Sequence, residues 1–274
     1  RLEGRIVAER LPLPEVDPRA EAPLGLDRLG LLDAELVLQA ARVEPLGGTE
    51  LQDLSATLHL AQGTLQAEGV KARLAGGTLG GALQLDGTAE PPRLAVTGSL
   101  ADATIAGPLT GLPLDLSAGL VSLTLDLHAA GHGWAAMGAT LEGTLSATVR
   151  DGVLVGVDLP AVQAAAGQAE LKAAEAGLRE ALSGGATAFE ALTVEAAFSE
   201  GRAALTAAAL QAEGGVAASA TGFLDLARGT LDLRIATVPA PGAPEVAVRL
   251  TGPAEAPRRT PELAPFLRWK AERG

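Results

Sequence analysis

Three histidines and a scatter of carboxylates are the groups in this 274-residue sequence most able to do chemistry. Their spacing argues against it. His128 and His132 stand four apart, a separation that brings two imidazoles to one side of a helix and suits a zinc ion. Here His128 falls on the polar side of an alternating pattern, and Gly131 and Gly133 break any helix beyond it, so the pair reads as solvated. His59 also lies on a polar side. No third ligand completes a metal set, and neither a metal nor a cofactor is expected. There is no cysteine and no Gly-x-Ser-x-Gly elbow to present a nucleophile. Gly76-Gly77 and Gly80-Gly81 lack the Gly-Lys-Ser/Thr that completes a phosphate loop, and hairpin geometry accounts for them. The carboxylates fall on alternate strand positions where solvation explains them. The expectation is a protein that is not an enzyme.

Composition narrows the remaining classes. Hydrophobic residues make up 47% of the chain but aromatic residues only 2%, so the apolar surface is built from Leu, Ala and Val. Such a lining lacks the aromatic anchors of most specific interfaces and many ligand pockets. It suits alkyl chains. The net charge of −12 leaves no basic stripe to neutralise phosphates, which argues against nucleic acid as a partner. The absence of cysteine fits either a reducing cytosol or a periplasmic protein that avoids the residue. No apolar run reaches the roughly 18 to 20 residues needed to cross a bilayer. The opening residues read as the middle of a hairpin, so the expectation is a fragment whose anchor or export signal lies upstream.

The elements are mostly short alternating strands. They are read at 2–9, 35–42, 51–61, 64–74, 78–86, 92–100, 121–129, 140–150, 153–159, 192–198, 202–212, 216–226, 230–237 and 245–250. The Pro-rich segment from Leu11 to Pro23 reads as a loop, 101–119 as a linker, and the segment containing Trp134 and Met137 as another loop. Arg150-Asp151-Gly152 reads as a tight turn between the ladder Leu145, Ala147, Val149 and the ladder Val153, Val155, Val157, Leu159. Pro160 to Ser183 is the single long helix: it is Ala-rich, with Leu171, Ala174, Leu178 and Ala181 at helical spacing, and Gly184-Gly185 ends it. Prolines from Pro253 to Pro265 close the regular part. The last residues, with Phe266, Arg268, Trp269, Lys270 and Arg273, form either a basic, aromatic patch for a head-group layer or partner, or a frayed tail.

Roughly 14 strands at about 4.8 Å spacing make a sheet on the order of 65 Å wide. One helix about 10 Å across covers little of it. The rest of the apolar face must fold on itself as a sandwich, meet a partner, or bind something apolar. The fold expected is mainly β: an elongated antiparallel meander forming a curved sheet or groove, taco-like, with one long helix packed on it. Its organisation is one region over 1–252, with sub-repeats near 1–107 and 120–252, followed by a Pro-rich tail over 253–274.

Several pieces occur in an order that resembles the C-terminal region of the AsmA family of bacterial envelope proteins. They are Leu127-His128-Ala129-Ala130-Gly131, Leu141-Glu142-Gly143-Thr144, Asp151-Gly152-Val153-Leu154-Val155-Gly156-Val157-Asp158-Leu159 and Ala186-Thr187-Ala188-Phe189, followed by Ala220-Thr221-Gly222-Phe223-Leu224-Asp225-Leu226 and Val248-Arg249-Leu250-Thr251-Gly252-Pro253. The resemblance implies an inner-membrane-anchored protein projecting into the periplasm, with a groove-forming sheet related to TamB and to the bridge-like lipid transfer proteins. It also implies work in outer-membrane biogenesis and in moving phospholipid between membranes.

The leading expectation is therefore a periplasmic β-groove that binds or conducts phospholipid acyl chains, with no residue performing chemistry. Its partners would be phospholipid or another acyl lipid, the inner membrane through an upstream anchor, and other envelope proteins. The candidate lining is Leu54, Leu58, Leu83, Leu85, Val121, Leu123, Leu125, Leu127, Leu145, Val149, Val155, Val157, Val194, Phe198, Leu224, Leu231 and Leu233. The alternative is a structural or scaffolding β protein of the envelope with a closed core.

Overall fold

Alternation of Leu, Val and Ala with polar residues produces strands almost everywhere it occurs, because period-2 patterning leaves one face of each strand to bury. The computed structural model describes residues 2–12, 20–46 and 49–273. Among them are fourteen strands: β1 (Leu2–Pro12), β2 (Ala34–Leu46), β3 (Thr49–Ala61), β4 (Thr64–Leu74), β5 (Gly77–Asp86), β6 (Arg93–Ile105), β7 (Asp115–Ala130), β8 (Glu142–Val155), β9 (Ala186–Ser199), β10 (Arg202–Ala212), β11 (Ala217–Asp225), β12 (Thr230–Thr237), β13 (Val246–Pro253) and β14 (Arg258–Glu262). Four helices are α1 (Trp134–Ala139), α2 (Leu159–Ala166), α3 (Leu171–Ala181) and α4 (Ala264–Ala271). All fourteen strands join one sheet in sequence order, β1 to β14, and the sheet does not close.

The segment expected as a loop around Trp134 and Met137 holds α1, the linker expected over 101–119 is strand at both ends, where β6 and β7 extend into it, and four further expectations change. First, the meander is not antiparallel throughout, because β1 pairs parallel with β2. A parallel pair needs a crossover of a dozen or more residues, and the segment from residue 13 to 33 supplies the length. Much of the loop read over Leu11 to Pro23, including Pro14 and Pro18, lies outside the described residues. Second, Arg150-Asp151-Gly152 is not a hairpin turn. Strand β8 runs straight through it, with Asp151 in the left-handed region at φ 50°. Third, the long helix is two. α2 ends at Gly167 and α3 starts after Glu170, and the two pack together where a Cβ on Gly177 would come within 2.9 Å of the Ala165 Cβ. Fourth, regular structure continues past Pro253, as β14 and α4. Phe266 is fully buried, Arg273 lies over the Trp269 ring at 4.7 Å, and Lys270 Nζ donates to the Ala166 carbonyl at 2.9 Å. The terminal cluster is spent on packing instead of fraying.

The chain forms two compact units, and β6 to β10 contribute residues to both. Unit 1 holds 1–104, 121–146 and 197–202. Its strands form rows across five neighbours: Leu36, Leu58, Ala67, Leu83 and Val96 in one, and Ala34, Leu60, Leu65, Leu85 and Leu94 in the next. The opposite face carries Glu35, His59, Gln66 and Gln84 in register. Unit 2 holds 105–120, 147–196 and 203–274. Its core contains Val246, Val248 and Leu250 of β13 and Val162, Leu178 and Phe266 of the helices, all fully buried. Among the described residues no helix is long and apolar enough to cross a membrane.

Candidate functional site

The site that the strands of unit 2 build is an apolar cavity of about 160 Å³ on their inner face. Register sets that face. Ala218, Ala220, Gly222 and Leu224 of β11 oppose Thr237, Ile235, Leu233 and Leu231 of β12, and Leu233 and Ile235 oppose Leu250 and Val248 of β13. Ala220, Leu233 and Ile235 reach the cavity, joined by Leu192 and Val194 of β9 and by Leu205, Ala208 and Leu210 of β10. Leu114, Leu154, Val157 and Leu159 also line it, so the first residue of α2 is part of the wall. The lining exposes no polar surface.

Two backbone irregularities put Leu154 and Val157 there together. After Val149, left-handed Asp151 moves the inward position from odd to even residues, and Gly156 at φ 113° moves it back. Val155, between them, is left 37% exposed. Gly156 is needed for a second reason: a Cβ there would collide with the Pro113 carbonyl and approach Arg259 Nη2. The helix entry is fixed by polar groups. Asp158 accepts from the Ala161 N–H at 2.9 Å as N-cap. Thr187, fully buried, donates its hydroxyl to the Val157 carbonyl at 2.7 Å and accepts from the Leu159 N–H at 3.0 Å. Phe189 fills the space over Gly152 that any Cβ would occupy.

Asp115 is a second polar anchor. Asp115, 7% exposed, accepts from the Gly111 N–H at 2.6 Å, from the Thr110 N–H and hydroxyl at 3.0 Å each, and from the Leu116 N–H at 2.8 Å. Burial pushes its carboxyl upward, yet these donors together outweigh burial and hold it below the ordinary carboxylate range. The turn it organises delivers Leu114 to the cavity.

Of the predicted lining, Val157, Val194 and Leu233 border the cavity. Val149 is buried, packed where a Cβ on Gly119 would sit, and Val155 lies outside the cavity. Leu224 and Leu231 face each other across β11 and β12, half-buried. In unit 1, Leu58, Leu83 and Leu85 stand in the apolar rows, and Leu54 pairs with Ala40 on the same side of β3 as Leu58. Leu125 lies within 3.4 Å of where a Cβ on Gly98 would be, and Gly98 shares its side of β6 with Val96. That contact brings the β7 ladder Val121, Leu123, Leu125 and Leu127 to the same face. Those residues, Leu145 and Phe198 are all half-buried. Sequence reading missed Leu154, Leu192, Leu205, Leu210 and Ile235 as lining. Ile235 continues the visible alternation Leu231, Leu233, and that signal was sufficient to find it.

The larger hollows are lined by polar and charged side chains as well as apolar ones. One of about 710 Å³ in unit 1 is lined by Gln84, Asp86, Arg93, His128, Thr140 and Glu142, with both signs of charge mixed. His128 Nε2 lies 3.1 Å from the Asp126 carboxylate, and His132 Nε2 lies 2.9 Å from that of Glu90, each pair exposed. These are exposed surface contacts, and the apolar cavity is the better candidate despite its smaller size.

Among the described residues, then, the strands form one open sheet in sequence order, with aliphatic rows on one face in unit 1 and an apolar cavity in unit 2. The chain belongs to the AsmA family, whose profile matches residues 17–208. That family comprises proteins of the cell envelope related to lipid transport. Comparison with curated proteins and comparison with solved structures each give no match.

Proposed function

We propose that this chain is the periplasmic part of an inner-membrane-anchored AsmA protein that binds or conducts phospholipid acyl chains, serving outer-membrane biogenesis and lipid transport between membranes. The observation that carries the reading is the cavity in unit 2, lined by aliphatic side chains apart from Ser219. The aliphatic rows of β2 to β6 in unit 1 support it. Each methylene moved from water to such a surface gains about 0.8 kcal/mol, and no polar group is needed for that gain. In this reading the ligand is a phospholipid or another acyl lipid, the anchor precedes the chain, other envelope proteins stand at its ends, nucleic acid is not a partner, and no residue reacts.

The test is lipid capture and transfer. Protein purified from envelope without detergent exchange should carry phospholipid detectable by native mass spectrometry. It should also move a fluorescent phospholipid between donor and acceptor liposomes. Lipid-free protein that neither loads from vesicles nor speeds transfer would instead favour a scaffolding role.

A further inference from the structure

Across β11 to β14 the inner face of unit 2 is aliphatic but for Thr237, whose hydroxyl donates to the Ala217 carbonyl, and one charged residue, Arg259. Arg259 of β14 opposes Leu250 of β13, which opposes Leu233 of β12 on the cavity wall. Directly opposed residues point to the same side of a sheet, so the guanidinium stands on the cavity's face, two strands or about 10 Å from Leu233. Its Nη1 donates to the carbonyls of Gly156 and Leu182, and its Nη2 donates to that of Pro113 at 2.8 Å. Gly156 and Pro113 immediately precede Val157 and Leu114, two residues of the cavity lining.

The cation is held but not neutralised. Among the described residues Arg259 makes no ion pair, and its only perturbation is burial, which lowers its pKa with no carboxylate opposing it. On the other face the arginines are satisfied. Arg234 meets Glu245 at 2.5 Å and Glu262 at 2.8 Å, and Arg249 meets Asp232 at 2.7 Å. A guanidinium has five N–H donors. Three are occupied by carbonyls, which leaves Nε–H and one hydrogen of Nη2. Those two groups lie on the edge that side-on, bidentate recognition of an oxyanion uses. A half-buried charge without a counter-ion, held by the backbone next to two lining residues of an alkyl-sized cavity, matches an amphiphile with an anionic end.

We propose that Arg259 binds the phosphate of the acyl lipid whose chain enters the cavity, so that this end of the face selects phosphate-bearing lipids over neutral ones. This rests on the acyl-lipid reading above. Gly156 contributes by leaving room for the guanidinium against the backbone.

The experiment measures binding of dodecyl phosphate, dodecanol and inorganic phosphate to the whole chain by titration calorimetry. The expected result is a preference of about tenfold for dodecyl phosphate over dodecanol, in line with one charge-assisted bidentate contact. Inorganic phosphate should bind far more weakly than either. In Arg259→Gln the ratio of dodecyl phosphate to dodecanol affinity should fall to about one. A purely structural role would weaken both dodecyl probes together and leave their ratio intact, which would overturn the proposal. Equal affinity for both in the wild type overturns it while leaving the acyl-lipid reading standing; binding of neither removes both. Inorganic phosphate binding as tightly as dodecyl phosphate would make this a plain anion site and also refute it. If Arg259→Gln does not fold, the Arg259 Nε–H resonance, assigned with Arg259→Lys, must shift with dodecyl phosphate and not with dodecanol. No shift, or the same shift with both, refutes the assignment.

Discussion

Substituting Ala220 by Leu tests whether the cavity takes an alkyl chain, because it fills the space without touching any polar group. Ala220 is half-buried on the inner face of β11, opposite Ile235, and borders the cavity. The volume of about 160 Å³ is close to that of an engineered apolar cavity of about 150 Å³ that binds benzene, so it holds about six carbons. Six methylenes at about 0.8 kcal/mol each give a gross gain of roughly 5 kcal/mol. The leucine adds three carbons and so displaces about half of that, roughly 2.4 kcal/mol, or about fifty-fold in affinity. Filling an empty space adds contacts, so stability should stay within about 1 kcal/mol of wild type. Calorimetric titration with n-alkanols supplies the assay. Wild-type affinity should rise about fourfold per added carbon up to roughly six carbons and more slowly beyond, and the variant should reach its plateau about three carbons earlier. A folded variant with unchanged melting temperature and alkanol affinities within about twofold of wild type would refute the assignment of this cavity as the alkyl site.

The polar anchors give two further outcomes. Thr187→Val keeps the shape but strands the Val157 carbonyl and the Leu159 N–H inside the protein; the expected loss is about 2 to 4 kcal/mol in urea unfolding. Thr187→Ser, which keeps both hydrogen bonds, should lose only about 1 kcal/mol, and equal losses for the two would show that the hydroxyl carries nothing. The Asp115 carboxyl is depressed on folding, so its contribution is complete above the unfolded value of about 4 and is lost as pH falls through the lower folded value. The stability advantage of wild type over Asp115→Asn should therefore be constant from about pH 5 to 8 and shrink below about pH 4. An advantage unchanged at about pH 2.5 would contradict that account.

Much of the fold was legible because alternation survives in almost every strand. The rows of Leu58, Leu83 and Leu85 come directly from it, and so does the polar placement of His59 and His128. The two ends of the chain were harder to read for reasons of chemistry. Proline is excluded from central strands and helix interiors, yet it is accepted on an edge strand and in the first turn of a helix. Pro261 lies in β14, the last strand of the sheet, and Pro265 lies in the first turn of α4. A segment dense in proline therefore read as a tail. At the other end, the parallel pairing of β1 depends on a crossover whose length permits it but whose residues do not announce it.

The candidate site was less legible than the fold, and the reason is phase. A left-handed residue followed by glycine serves a hairpin turn and a bulge equally well, so Asp151-Gly152 gives the same local signal for a reversal as for a strand that continues with its faces exchanged. Only the neighbouring strands decide, and the exchange is what moves Leu154 to the cavity and Val155 away from it. The same pattern recurs in unit 1, where Asp53, Gly69 and Asp102 are left-handed within β3, β4 and β6 and the register shifts beside the first two. The helices show the converse. Val162, Ala166, Ala174, Leu178 and Leu182 keep one four-residue phase across the break at Gly167, and only Glu170 violates it. Periodicity therefore preserves a stripe through a chain reversal while losing a face across a single bulge. Arg259 escaped for a third reason: its importance lies in what surrounds it, an aliphatic row on one side and three carbonyls on the other, and none of these is near it in sequence.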